Sequence, residues 1–123
     1  AAAHAAGMHT LLHSCGYIID ILPDLIDVGL DVIQLDQQEN MGLERLAEFA
    51  GSVTFWCPVD IQTVMCDGSI EDIRAYCHRL VEMLGTPEGG FMPKWYGDPT
   101  GAGHTADAVV AMCEEFTSIS QSP

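Results

Sequence analysis

Two residues near the start of the chain have the types and the spacing to do chemistry. His13 and Cys15 close the stretch His9-Thr10-Leu11-Leu12-His13-Ser14-Cys15-Gly16, which reads as a buried strand turning polar at its end. Residues two apart on a strand point the same way, so the imidazole and the thiol project together, about 6–7 Å apart along the backbone. Such a pair serves either as a two-point metal chelate or as a catalytic couple. Gly16 then frees the backbone for a sharp turn. Zinc takes imidazole and thiolate readily, and a catalytic zinc usually has three protein ligands. Cys57, at the end of another predicted strand, is the first candidate for the third ligand; Asp60 and Asp36 are the others. The structural alternative is a capped histidine beside a small buried thiol, with Cys57 in the core.

These residues need elements that bring strand ends together, and the pattern is strand and helix in alternation. Residues 1–6 read as the end of a helix closed by Gly7, and residues 8–13 as the first strand. The Ala1-Ala2-Ala3 start suggests a chain that begins inside an element. Ile18, Ile21, Leu22, Leu25 and Ile26 recur at helical spacing, with Pro23 in the first turn or at a kink and Gly29 at the C-cap. Residues 31–35 are the second strand. Leu43, Leu46, Ala47 and Ala50 mark a second helix, stopped by Gly51. Residues 52–56, rich in β-branched and aromatic side chains, form the third strand. Ser69, with Asp72 three residues on, starts a helix, and Ile70, Ile73, Cys77, Leu80, Val81 and Leu84 give it one apolar stripe. Gly85 ends it. Residues 89–92 are a weak fourth strand. Ala106, Val109, Val110, Cys113 and Phe116 line the last helix, and the polar tail from Ser118 should fray.

Strands alternating with amphipathic helices imply an α/β fold with a parallel sheet. A small doubly wound sheet and part of a (β/α)8 TIM barrel both fit. A full barrel needs about 200–250 residues, so four βα units amount to half of one. Open sheet edges are a pairing hazard. The expectation is therefore a missing N-terminal half, or a homo-oligomer that closes the barrel. Chemistry in such folds sits at the C-terminal strand ends. The four predicted ends carry His13, Ser14 and Cys15; Asp36, Gln37, Gln38 and Glu39; Cys57, Asp60 and Gln62; and Lys94, Trp95, Tyr96 and Asp98. Asp36 and Asp60 are the candidate catalytic carboxylates. Gln38, Gln62, Lys94 and Tyr96 are the candidate substrate-binding residues. Asp60 as a loop cap and the glutamines as loop braces are the structural alternatives.

Composition narrows the functional classes. The chain has 18 acidic against 4 basic residues and a net charge of −14, which excludes ordinary electrostatic binding to nucleic acid or to an anionic membrane. A small anionic substrate stays compatible, because a pocket can differ in sign from the whole. No apolar run reaches the roughly 18–20 residues of a membrane helix. No basic region precedes an apolar block at the N-terminus. The five cysteines are irregularly spaced with no CxxC, and a reducing cytoplasm is the simple reading.

Several stretches together resemble one family. His-Ser-Cys-Gly at 13–16, Pro23-Asp24-Leu25-Ile26, Gly29-Leu30-Asp31-Val32, the run from Phe55 to Gln62, and Gly85-Thr86-Pro87-Glu88-Gly89-Gly90-Phe91 are similar to the uroporphyrinogen decarboxylase superfamily, in its C-terminal half. The resemblance runs from about residue 4 to 117 and implies a (β/α)8 barrel enzyme, of which this chain resembles four βα units. One branch decarboxylates a tetrapyrrole without a cofactor. The other, the methylcobamide:coenzyme M methyltransferases and their relatives, moves a methyl group between a corrinoid and a thiol, with zinc held by a His-x-Cys pair and a later cysteine. His13 and Cys15 match that pair. No cysteine stands between Gly90 and Lys94, where the later one belongs, and Gly89-Gly90-Phe91 replaces the decarboxylases' Gly-His-Gly. The resemblance implies zinc-assisted methyl transfer first, with a corrinoid protein as partner. Cofactor-free decarboxylation of uroporphyrinogen or a related acid comes second, and an inactive fragment that needs its other half comes third.

Overall fold

Four short parallel strands position everything else. The computed structural model describes residues 2–121. Strands β1 (Leu11–Ser14), β2 (Val32–Leu35), β3 (Thr54–Cys57) and β4 (Phe91–Pro93) pair in the order β1-β2-β3-β4, all parallel. Helices α1 (Ala2–Ala5), α2 (Leu22–Asp27), α3 (Leu43–Ala47), α4 (Val64–Asp67), α5 (Ile70–Leu84) and α6 (Ala106–Gln121) precede, connect and follow them. A single 3-10 turn, Gln38–Asn40, opens the β2–α3 connection. The chain is thus α/β, and its strand order never reverses as a doubly wound sheet's would. No helix among the described residues is long and apolar enough to cross a membrane.

Strand alternation divides the sheet into two unlike faces. The register pairs Leu12 with Ile33, Ile33 with Phe55, and Phe55 with Phe91. This row, with Leu35 and Cys57 beyond it, joins helix residues Leu22, Leu43, Leu46, Ile73, Cys77, Leu80 and Leu84 in one core. Ile33, Leu35 and Phe55 are wholly buried, and burial of each such side chain stabilises the fold by about 1.5–3 kcal/mol. The other row runs Leu11/Val32, His13/Gln34, Trp56 and Met92. It is largely uncovered: Leu11 is 54% exposed and Met92 39%. The first strand was expected to be buried over 8–13; it begins at Leu11 and is half exposed, because it lies at the sheet's edge.

Local chemistry explains most element ends. Ser69 Oγ accepts from the Asp72 N–H at 3.1 Å, and Asp72 Oδ2 accepts from the Ser69 N–H at 2.9 Å, so α5 starts on a reciprocal capping box. Its apolar stripe buries Ile73, Tyr76, Cys77, Leu80 and Leu84. Pro23 lies in the first turn of α2, where its missing N–H costs nothing. Gly29 follows α2 with φ +97°, and a Cβ there would stand 3.0 Å from His4 Cε1. The expected lining of α6 holds in part: Phe116 is buried and Val109 packs on the core, but Ala106, Val110 and Cys113 are exposed and Ala108, Ala111 and Met112 are buried instead. The helix is formed to Gln121, and the end of the polar tail, residues 122–123, lies outside the described residues. The run Ala-Asp-Ala-Val-Val-Ala-Met-Cys is apolar on more than one side, so its periodicity alone does not select the packed face.

Candidate metal centre

The open face of the sheet collects its polar groups at the C-terminal strand ends. His13 is the third residue of β1 and Cys15 lies one residue past its end. His13 Nε2 stands 3.0 Å from Cys15 Sγ, as their two-residue spacing predicts. The register sets His13 beside Gln34 of β2, and Asp36 follows two residues later on the same side. One donor atom each from His13, Cys15 and Asp36 lies within 4.8 Å of the others. An imidazole, a thiol and a carboxylate at that separation form a donor set that zinc accepts. Among the described residues this is the one His/Cys/Asp/Glu group so arranged.

Gln34 organises the set. Its Oε1 accepts from His13 Nδ1–H, and its Nε2 donates to Asp36 Oδ1 at 2.8 Å. The Nδ1 proton thereby leaves the Nε2 lone pair facing the Cys15 thiol. Metal-binding histidines are commonly oriented in this way by a partner on the second ring nitrogen. Gln34 is buried, at 5% exposed, so its amide is held in place. The sequence reading passed over it. The available signal was one amide inside the otherwise apolar strand Val32-Ile33-Gln34-Leu35.

Cys57 does not join the pair. It follows Trp56, which shares the row of Gln34, and so points to the helix-covered side with Phe55 and Leu35 as neighbours in the core. Burial pushes its thiol up to about 12, far from an accessible thiolate. Asp60 is not part of the donor set either. Its Oδ1 accepts from the Gln62 N–H at 3.2 Å, and its Oδ2 from the Thr63 and Val64 N–H groups at 3.1 Å each, which caps the turn into α4. Gln38 is fully buried and donates to the Pro58 carbonyl at 2.8 Å and to Tyr76 Oη at 3.3 Å. It braces the β2 and β3 loops against α5. Tyr76 in turn donates to Glu39, and burial, followed by that carboxylate, raises its phenol well above the ordinary value. The Gln62 side chain is exposed on the α4 side.

Lys94 and Tyr96 do reach the site's mouth. Lys94 Nζ donates to Asp36 Oδ1 at 2.5 Å and lies 5.5 Å from the Tyr96 ring centroid. The Tyr96 ring packs on His104 at 5.9 Å, and His104 Nε2–H donates to the Ile61 carbonyl at 2.9 Å. Trp95, beside them, is 59% exposed. All five cysteines are free thiols. Comparison with known proteins finds no matching family model, no matching curated protein and no matching solved structure.

Proposed function

We propose that the chain supplies four βα units of a (β/α)8 barrel enzyme, and that His13, Cys15 and Asp36 hold zinc for methyl transfer from a corrinoid to a thiol. The observation that carries this reading is the donor set within 4.8 Å, at strand ends, on the face that helices leave open. In (β/α)8 enzymes that is where chemistry is built. Sequential parallel strands with helices on one side support the barrel assignment. The resemblance at residues 13–16 supports the reaction class. Asp36, one of the alternatives the sequence offered, takes the place for which Cys57 was the first candidate.

Bound there, zinc would keep a substrate thiol ionised at neutral pH and ready to accept the methyl group. The chain's residues do the rest. His13 Nε2 and Cys15 Sγ form the chelate along one strand, and Asp36 closes it from the next. Gln34 holds the imidazole and the carboxylate in one orientation through a single amide. The open row of Leu11, Trp56 and Met92 offers an apolar floor to a large flat partner. A second reading, decarboxylation without a cofactor, draws support from the Lys94–Asp36 pair, an ammonium and a carboxylate able to pass a proton at the same mouth.

Metal analysis after purification with zinc tests the choice. One zinc per chain is expected, lost on Cys15→Ser and retained on Cys57→Ser. Absence of zinc from the parent protein, or retention by Cys15→Ser, overturns the metal reading. Carbon dioxide release that ignores a chelator favours the decarboxylase instead.

A further inference from the structure

The carboxylate of the donor set already holds a cation. Asp36 Oδ1 takes the Lys94 ammonium at 2.5 Å, and the pair is enclosed, the side chains of Lys94 and Asp36 being 18% and 13% exposed. Lys94 is the only lysine of the chain. The three arginines are engaged elsewhere: Arg45 with Asp20, Arg74 with Glu114 and Glu115, and Arg79 with Glu44. A chain with net charge −14 thus places its single lysine on the one carboxylate that stands with His13 and Cys15.

Asp36 Oδ1 carries both the Gln34 amide and the Lys94 ammonium, so a divalent cation on either oxygen of this carboxylate stands close to that ammonium. A zinc ion binds a carboxylate oxygen at about 2.0–2.2 Å, which would bring a divalent charge against the ammonium at close range. The ammonium sits on a flexible four-carbon stem and has somewhere to go. The face of Tyr96 lies 5.5 Å away, anchored by His104, and an aromatic face attracts a cation.

We propose that Lys94 is the resident counter-ion of the metal site: its ammonium occupies Asp36 until a divalent cation binds, and is then displaced toward Tyr96 and the open mouth. The proposal rests on the metal reading above. Lys94 is in these terms a positioning residue. It keeps Asp36 in place beside Gln34 while the site is empty of metal, and it opposes zinc by the strength of its own pairing. Metal binding and exposure of the lysine become one event.

The single lysine makes the test direct. The unmodified protein is treated with an amine-acylating reagent with and without zinc, and the Lys94 peptide is quantified by mass spectrometry. Zinc binding is measured by calorimetry on the same samples. Acylation of Lys94 should run several-fold faster with zinc bound. Equal or slower acylation with zinc demonstrably bound overturns the exchange and leaves the metal reading standing. Failure of zinc to bind at all sinks both. A second arm uses Lys94→Met, which should bind zinc about tenfold more tightly, a gain that disappears when Asp36→Asn is added. An unchanged or weaker affinity in Lys94→Met counts against the exchange.

Discussion

Replacing Gln34 with leucine removes the one amide that touches two of the three donors. Two hydrogen bonds go, to His13 Nδ1 and to Asp36 Oδ1. Neither partner is stranded. Asp36 keeps Lys94, and His13 is exposed enough for water to take the vacated place. The loss at His13 therefore falls near the ordinary net value of about 1 kcal/mol, and the loss at the carboxylate of Asp36 near the about 1.5–3 kcal/mol of a bond to a charged group. Leucine of similar size at a position 5% exposed returns about 1–2 kcal/mol of apolar burial. Stability should fall by no more than about 3 kcal/mol, or roughly 15 °C in Tm. Zinc affinity should fall by about 10–100-fold, because the imidazole and the carboxylate lose their common orientation. That corresponds to about 1.4–2.8 kcal/mol of binding. Thermal melting and calorimetric zinc titration separate the two effects. Unchanged zinc affinity in a folded Gln34→Leu protein would refute the orienting role. A collapse of Tm with affinity intact would show that the amide serves the fold alone.

Two further outcomes follow from groups at and away from the site. Asp31 Oδ2 accepts from the Thr10 N–H and from His4 Nε2, at 2.7 Å each, and these hold its carboxyl well below the usual range, the backbone bond foremost. A depressed native pKa means that its stabilisation is complete above the unfolded value of about 4 and is lost as pH falls below it; acid melting curves should show this slope, and Asp31→Asn should flatten it. Among the thiols, Cys15 and Cys113 are exposed, whereas Cys57 and Cys77 are buried and pushed up to about 12. Iodoacetamide at mildly alkaline pH should therefore label Cys15 and Cys113 long before the other two, with zinc protecting Cys15 alone; early labelling of Cys57 would contradict its place in the core.

Much of the frame could be read from the chain. The glycine and proline punctuation, the Ser69–Asp72 cap and the stripe of α5 are local signals, and each is made by residues within a turn or two of one another. The pairing of His13 with Cys15 was equally local, since a strand's period of two needs no partner to operate. The last helix was less legible, because its apolar run offered several faces and only packing on α5 chose one.

The third donor was a different kind of question. Asp36 and Cys57 are both strand-end residues with metal-binding side chains, and nothing within either segment ranks them. The inter-strand register ranks them. His13 pairs with Gln34, which carries Asp36 to the same side two residues on; Gln34 pairs with Trp56, which sends Cys57, one residue on, to the other side. A shift of one residue in that pairing would exchange their places. The amino-acid sequence determined which groups stand at the strand ends. Only the assembled sheet decided which of them face one another, because side-chain direction is a parity, and parity between strands exists only once they are paired.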